Sequence, residues 1–411
     1  MTDPEPPKRR AAEALLILSV SVVLGLSVWF AASAAAPQLQ LRWGLDSGQA
    51  GLLTSLVQLG FVAGTLIAAL LNLADIFPSR SYFAASTAGA ALANAALLVV
   101  PDYGWALAAR FATGFFMAGV YPPAMKMAAT WYRRSRGLAI GTVVGALTLG
   151  KSTPYLVDAF GGAGIEWIVW STSLCGLTAA TLIAVAWHDG PFAFPKRTFS
   201  WSLAGDVVRD RRWRRATGGY LGHMWELYAF WTWITAWVAA SVSARAHFPV
   251  HAAPDTAAKL VGFAAIAVGA IGCVWGGKTA DRIGYAPLTI RALAASGSCA
   301  LLAGAVFGQG LALVLPLVLV WGFFVIADSA QFSALVTEVV QPHAVGTALT
   351  LQVALGFLLT TVTIQLVPWA AELIGWRWSF LILVPGPLFG IASIRRLDRN
   401  PERTGVVVQP R

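Results

Sequence analysis

Runs of about 20 apolar residues, the length that crosses a bilayer as a helix, recur along this chain. They fall at 14–36, 48–71, 81–100, 104–130, 137–160, 165–187, 217–242, 257–277, 287–307, 311–337, 345–371 and 378–394. Nothing else in the sequence narrows the fold as far. In hydrocarbon every backbone N–H and C=O must be satisfied inside the protein, and a helix does this within one segment. Composition agrees: the chain is 57% hydrophobic and 12% charged, where a soluble chain carries about 25% charged residues. A net charge of +10 can mark nucleic-acid or membrane binding. The basic residues sit in short loops between apolar runs, which weighs against nucleic acid and for a lipid bilayer.

Only one connection is both long and charged, His188 to Arg215. The expected fold class is therefore an all-α membrane protein of twelve transmembrane helices in two pseudo-symmetric six-helix bundles. Residues 1–187 form the first bundle, 188–215 a cytoplasmic linker, 216–397 the second bundle and 398–411 a cytoplasmic tail. The first run, between "PKRR" and "AASAAAP", has the look of a signal peptide with an A-x-A cleavage site. It is too long for a usual signal core, and its removal leaves eleven spans, so it reads as an uncleaved first helix. Orientation follows from Lys and Arg in the loops. With the N-terminus in the cytoplasm, 22 of the 29 basic residues lie on that side. Arg42, Arg245, Lys259 and Arg377 fall outside, and Arg110, Lys126 and Lys151 lie within spans.

Four landmarks recur in order between the halves. Asp75 and Asp281 follow the second span of each half, 206 positions apart. The "GFF" at Gly114 returns at Gly322 after 208, Gly137 at Gly346 after 209, and Trp167 at Trp378 after 211. A nearly constant offset is what a duplicated six-helix unit leaves behind. The three cysteines, Cys175, Cys273 and Cys299, all lie in apolar runs without metal-site spacing, and read as packing residues.

On these residues the chain resembles the major facilitator superfamily over essentially its whole length. That family's loop signature, roughly G-x-x-x-D-R-x-G-R-[RK], matches Gly277-Lys278-Thr279-Ala280-Asp281-Arg282-Ile283-Gly284, with Tyr285-Ala286 in place of the final basic pair. The copy in the first half is degenerate, keeping Asp75 and Pro78-Ser79-Arg80. The family's span 4 Arg with spaced glycines is matched by Arg110, Gly114 and Gly119. The resemblance implies alternating access, two bundles rocking about a midplane site. It also implies a gating role for Asp75, Arg80, Gly277, Asp281 and Arg282, whose charges can latch helix ends together in one state.

Ionisable side chains inside spans are costly and mark function by default. His223 and Glu226 lie roughly 12–17 Å into span 7 and share a face with Phe230, Trp233 and Trp237. That stripe is either a pore lining or a packing seam. Asp328, midway along span 10, corresponds by the 208 offset to Val120, so this carboxylate is an addition to the repeat. Arg110 shares its face with Gly114, Met117 and Tyr121, and Lys151 with Tyr155 and Asp158. Lys151 either binds an anion or pairs with Asp158. Gly141, Gly145 and Gly150 give span 5 a small-residue face for close packing.

The leading reading is a proton-coupled secondary transporter in the inner (plasma) membrane, working as a monomer on a small organic or inorganic anion. Arg110, Lys151, Tyr121, Trp233 and Asp328 are the substrate candidates, and Glu226, His223 and Asp328 the proton candidates. Proton-driven efflux of hydrophobic cations is the alternative, weakened because Pro154 lacks the G-P-x-x-G-G context of drug antiporters. A non-transporting receptor with the same fold is a third reading. No G-x-x-x-x-G-K-[ST] loop, catalytic triad or metal-ligand cluster occurs, so neither an ATP-driven pump, an enzyme nor a cofactor is expected.

Overall fold

The computed structural model describes residues 7–132, 136–160, 164–192, 200–244 and 254–397, and every regular element among them is helical. Twelve spans follow one another as the apolar runs predict. The first half comprises Lys8–Leu26 with Ala31–Ala34, Ser47–Leu70, Ser79–Ala95, Tyr103–Met117 with Tyr121–Trp131, Arg136–Phe160 and Ile165–Ala186. The second half comprises Arg211–Ser243, Pro254–Ala267 with Gly269–Ile283, Tyr285–Val306, Leu311–Ala327 with Ser329–Val339, Val345–Ile374 and a last span from Trp376 to Arg395. We number these spans 1 to 12. Seven of them are long and apolar enough to cross a membrane on length and composition alone. A short helix, Trp201–Arg209, lies in the linker before span 7.

Helix starts are fixed by side chains that satisfy the orphan N–H groups of the first turn. Asp46 opens span 2 with a full capping box, accepting from the Gln49 N–H at 2.7 Å while the Gln49 side chain accepts from the Asp46 N–H at 3.0 Å. Asp102 opens span 4 through the Trp105 N–H, and Asp210 opens span 7 through those of Arg212 and Trp213. Gly284, the glycine of the "DRIG" loop, turns the chain between spans 8 and 9 at φ +87°, a conformation that disfavours any side chain.

Five spans that read as single runs are interrupted: span 8 at Val268, span 12 over Phe380–Val384, and spans 4, 10 and 1. Span 4 breaks at 118–120 and restarts on Tyr121-Pro122-Pro123, where proline in a first turn forfeits no helical bond. Span 10 breaks at Asp328, the position equivalent to Val120, so the repeat extends to the place of the break. Span 1 opens over Ser27–Phe30 without any proline or glycine, and its turn is closed by tighter i→i+3 bonds such as Trp29 N–H to Leu26 O at 3.1 Å.

Lipid offers helices no hydrophobic reason to associate, so close packing carries the bundle. Gly114 sets span 4 so near span 2 that an added Cβ would stand 2.0 Å from the Val57 carbonyl oxygen. Its repeat partner Gly322 sets span 10 against span 8, where a Cβ would stand 1.8 Å from the Ala265 carbonyl oxygen. The "GFF" landmark is thus a packing device used identically in each half. Between the halves, Gly145 of span 5 faces Ala270 of span 8, and Phe61 of span 2 meets Phe357 of span 11 at 4.4 Å between centroids. The third glycine of the small-residue face, Gly150, turns instead to the Val23 backbone of span 1.

Gly114→Ala and Gly322→Ala should each destabilise the protein by about 1–3 kcal/mol, the usual cost of overpacking. Gly205→Ala, with nothing within 4 Å, serves as the control. Thermal unfolding in detergent measures all three; an unchanged melting temperature for Gly322→Ala contradicts the contact.

Candidate functional site

Where the halves meet, Lys151 of span 5 is completely buried, and its environment is aromatic rather than acidic. Its Nζ lies 3.7 Å from the ring centre of Trp29, 4.4 Å from that of Tyr228 and 5.5 Å from that of Trp231, and it hydrogen-bonds the Tyr228 hydroxyl. Phe30 packs on both Tyr228 and Trp231 at 6.2 Å, and Phe357 closes on Tyr228 at 5.2 Å. Tyr155, one turn from Lys151, donates to the Trp231 carbonyl at 3.1 Å. The cage is therefore built by spans 1, 2 and 5 of one half and spans 7 and 11 of the other. Among the described residues no carboxylate lies within ion-pair distance of Lys151. Asp158, its expected partner, is held by Lys259 of span 8 at 3.1 Å and accepts from Gln38 at 3.4 Å.

The break in span 1 is what brings Trp29 and Phe30 to the lysine. Opening a helix frees carbonyls, and Arg110 fills them. Its Nη1 donates to Val28 O at 3.2 Å and to Asn94 Oδ1 at 2.9 Å, and its Nη2 to Trp29 O at 2.5 Å and Val28 O at 3.3 Å. Asn94 is fixed in turn by donating to the hydroxyls of Thr172 at 3.1 Å and Ser173 at 2.9 Å. The guanidinium fork predicted for an anion is thus engaged by backbone. It acts on the cage through span 1.

The polar pair of span 7 divides. His223 Nδ1 lies 3.0 Å from Asp328 Oδ1 at the break of span 10, both side chains buried. Glu226 turns into the second half, accepting from Ser296 Oγ at 2.7 Å and Trp321 Nε1 at 2.6 Å. Phe230 and Trp237 follow it onto Trp321, Phe307 and Phe380. The stripe is a packing seam, and the face of span 7 that meets the other half carries Tyr228 and Trp231. Trp233 lies apart, donating to the Ile364 carbonyl at 2.8 Å beside Gly51 of span 2. Tyr121 is half-buried at the restart of span 4, within electrostatic reach of Tyr220 and Cys273.

The seam is closed unequally at its two ends. At the end remote from the linker, Asp158–Lys259 joins spans 5 and 8, and the amide of Gln365 of span 11 meets Ser55 Oγ of span 2 at 3.2 Å. At the linker end, Asp281 and Arg282 are exposed and make no ion pair among the described residues, and Arg80 is likewise exposed. Gly277 is half-buried in span 8. The side chain of Asp75 lies outside the described residues. Two cavities, of about 300 Å³ beside Arg10, Trp131 and His188 and about 340 Å³ between spans 1, 5 and 8, lie away from the cage.

Sequence reasoning found Lys151 but missed Trp29, Phe30, Tyr228, Trp231 and Phe357. In "ELYAFWTWITAW" aromatic residues cover every face of span 7, and a helix buried all round gives no periodic signal for which face meets which neighbour.

A family model described as Major Facilitator Superfamily matches residues 17–364. Among solved structures, the chain is similar to a bacterial homologue of the human lysosomal transporter Spinster in an inward-facing, unoccupied conformation. That match has 16% identity and a TM-score of 0.69 over 95% of this chain and 98% of the other. It is also similar to the nucleoside transporter NupG, with 13% identity and a TM-score of 0.69 over 93% of this chain and 99% of the other. At such identities the likeness is one of fold. Among curated proteins, none matches.

Lys259→Gln should loosen the end that the Asp158–Lys259 pair closes. With Cys175, Cys273 and Cys299 replaced, thiol labelling of a Ser55→Cys reporter from that side should quicken by about tenfold or more, equivalent to about 1.4 kcal/mol. The exchange Asp158→Lys with Lys259→Asp should slow it again. Equal labelling in all three proteins removes the pair as a closure.

Proposed function

Because the chain belongs to the major facilitator superfamily, we propose that it is a proton-coupled secondary transporter that moves a small anion by alternating access, with Lys151 as the group that holds the anion. One observation carries the reading. Lys151 is a buried lysine at the seam of the two halves, with no carboxylate within ion-pair distance among the described residues. Removing a charge from water without a counter-charge costs several kcal/mol, and cation–π contact returns about 2 kcal/mol or somewhat more when desolvated. A transported anion completes the account. Since the cage walls come from both halves, rocking them apart uncovers the lysine, and closing them encloses whatever it has bound.

His223–Asp328 and Glu226 supply the buried acids for proton coupling. They stand in the second half, apart from the cage, so protonation there can bias the packing of spans 7, 9 and 10 without competing for the anion. The joined remote end, and Asp281 and Arg282 without an ion pair among the described residues, support a state closed on one side and released on the other. The excess of Lys and Arg in the linker-side loops supports an orientation with that side in the cytoplasm of an inner membrane, and nothing in the mechanism requires more than a monomer. Efflux of lipophilic cations is disfavoured by the same cage. Its aromatic faces suit a cation, but Lys151 already occupies them and repels a second.

The test is luminal pH in proteoliposomes containing a trapped pH dye, challenged in turn with organic anions, nitrate-like oxyanions and lipophilic cations. Anion entry should acidify the lumen, and Lys151→Gln should reduce the rate by at least about tenfold, an effect of about 1.4 kcal/mol. Alkalinisation by a cation, retained in Lys151→Gln, refutes the anion reading. Asp328→Asn and Glu226→Gln separate the proton from the substrate: whichever residue carries the proton, its variant should lose pH-driven uptake yet keep counterflow exchange. Equal loss of both activities in both variants argues against a proton role.

A further inference from the structure

We infer, building on the anion reading, that the substrate is a monocarboxylate with a flat aromatic body. The charge of the site comes first. Lys151 is the one cation of the cage. Arg110 is committed to the carbonyls of Val28 and Trp29 and to Asn94, and Lys259 is paired with Asp158. A dianion bound there keeps one negative charge uncompensated in a desolvated site, a cost of several kcal/mol. A monoanion leaves none.

The hydrogen-bonding valence of the cage comes second. Besides the ammonium, its unused polar atoms are the indole N–H groups of Trp29 and Trp231, both buried and, among the described residues, without an acceptor. These are donors only. A carboxylate brings two acceptor oxygens, enough for the ammonium and an indole together. A polyhydroxylated anion brings its own donors, for which the cage has few acceptors, and buried donors left unmet are penalised by about 1–3 kcal/mol each.

The walls come third. Phe30, Phe61, Tyr228 and Phe357 surround the lysine with rings that already pack on one another at centroid separations of 4.4–6.2 Å. A planar ring can take the place of such a contact in offset or edge geometry, which adds about 0.5–1.5 kcal/mol beyond its burial. An acetate- or nitrate-sized ion meets the charge but leaves these faces without a partner. Phe61 comes from span 2 and Phe357 from span 11, so a ring between them is gripped by both halves at once.

The experiment uses the purified full-length protein, read by thermal stabilisation in detergent and by luminal acidification in proteoliposomes. The probes are benzoate, cinnamate and indole-3-acetate, against acetate, nitrate, terephthalate and the neutral isostere benzamide. At least one aromatic monocarboxylate should bind tenfold or more tightly than acetate, nitrate, terephthalate and benzamide, and should acidify the lumen. Trp29→Phe and Trp231→Phe, which keep a ring and lose the N–H, should each weaken it about three- to tenfold, whether or not Lys151→Gln folds. Lys151-dependent uptake of nitrate or acetate at equal or better affinity overturns the aromatic assignment and leaves the anion reading intact. Tighter binding of terephthalate overturns the monoanion assignment. Silence of all three aromatic acids overturns the inference, and Lys151-independence of every anion overturns the underlying reading as well.

Discussion

A helix that opens inside hydrocarbon exposes carbonyls to a medium with nothing to offer them, and the centre of this protein is arranged around meeting that demand at one place. Span 1 opens over Ser27–Phe30, and Arg110 reaches across from span 4 to the carbonyls of Val28 and Trp29. The planar fork suits two adjacent acceptors better than an ammonium does. Asn94, itself anchored to Thr172 and Ser173 of span 6, takes one more of its protons. The clamp therefore links spans 1, 3, 4 and 6, and holds out the two aromatic side chains that reach Lys151. A charge that reads as a ligand for substrate instead shapes the segment that lines the site.

Duplication explains much of the frame and, by its exceptions, points to the specialised parts. Gly114 and Gly322 make equivalent backbone contacts, spans 4 and 10 break at equivalent places, and Asp75 and Asp281 recur at the ends of spans 2 and 8. Into that symmetry the second half inserts Asp328 where the first has Val120, and it meets His223 of span 7. Lys151 and Arg110 lie in the first half only. The halves share a scaffold and differ in their charges: Lys151 and Arg110 are buried in one, Asp328 and Glu226 in the other, and the Asp158–Lys259 pair joins the two.

The sequence disclosed what depends on segment length, spacing and chemical cost. Twelve spans, the repeat and the buried ionisable residues were legible because each follows from the cost of polar groups in lipid or from a fixed offset. Partners across the seam were not. Lys151 and Asp158 stand seven residues apart on one helix, where a local pair was one of two readings, yet Asp158 is taken by Lys259, 101 positions on. The span 7 stripe of Glu226, Phe230 and Trp237 satisfied the helical period, but period identifies a face and not the neighbour it meets. The break in span 1 holds no proline or glycine between Ser27 and Phe30, and the Arg110 side chain that meets its carbonyls comes from another helix.

The cage also bears on how such a transporter keeps from cycling empty. On the proposed reading, Lys151 without substrate is shielded by aromatic faces and the Tyr228 hydroxyl, and closing the halves on its ammonium would confine an unbalanced charge in a medium where the nominal attraction or repulsion of charges is several times its value in water. An anion bound there would make the same closure confine a neutral pair. On that reading the free energy of the occluded state would differ between loaded and unloaded protein through a single electrostatic term, located on Lys151. A ligand shifts a conformational equilibrium only by its difference in affinity for the two states. A lysine enclosed by both halves makes that difference large where the halves close and small where they part.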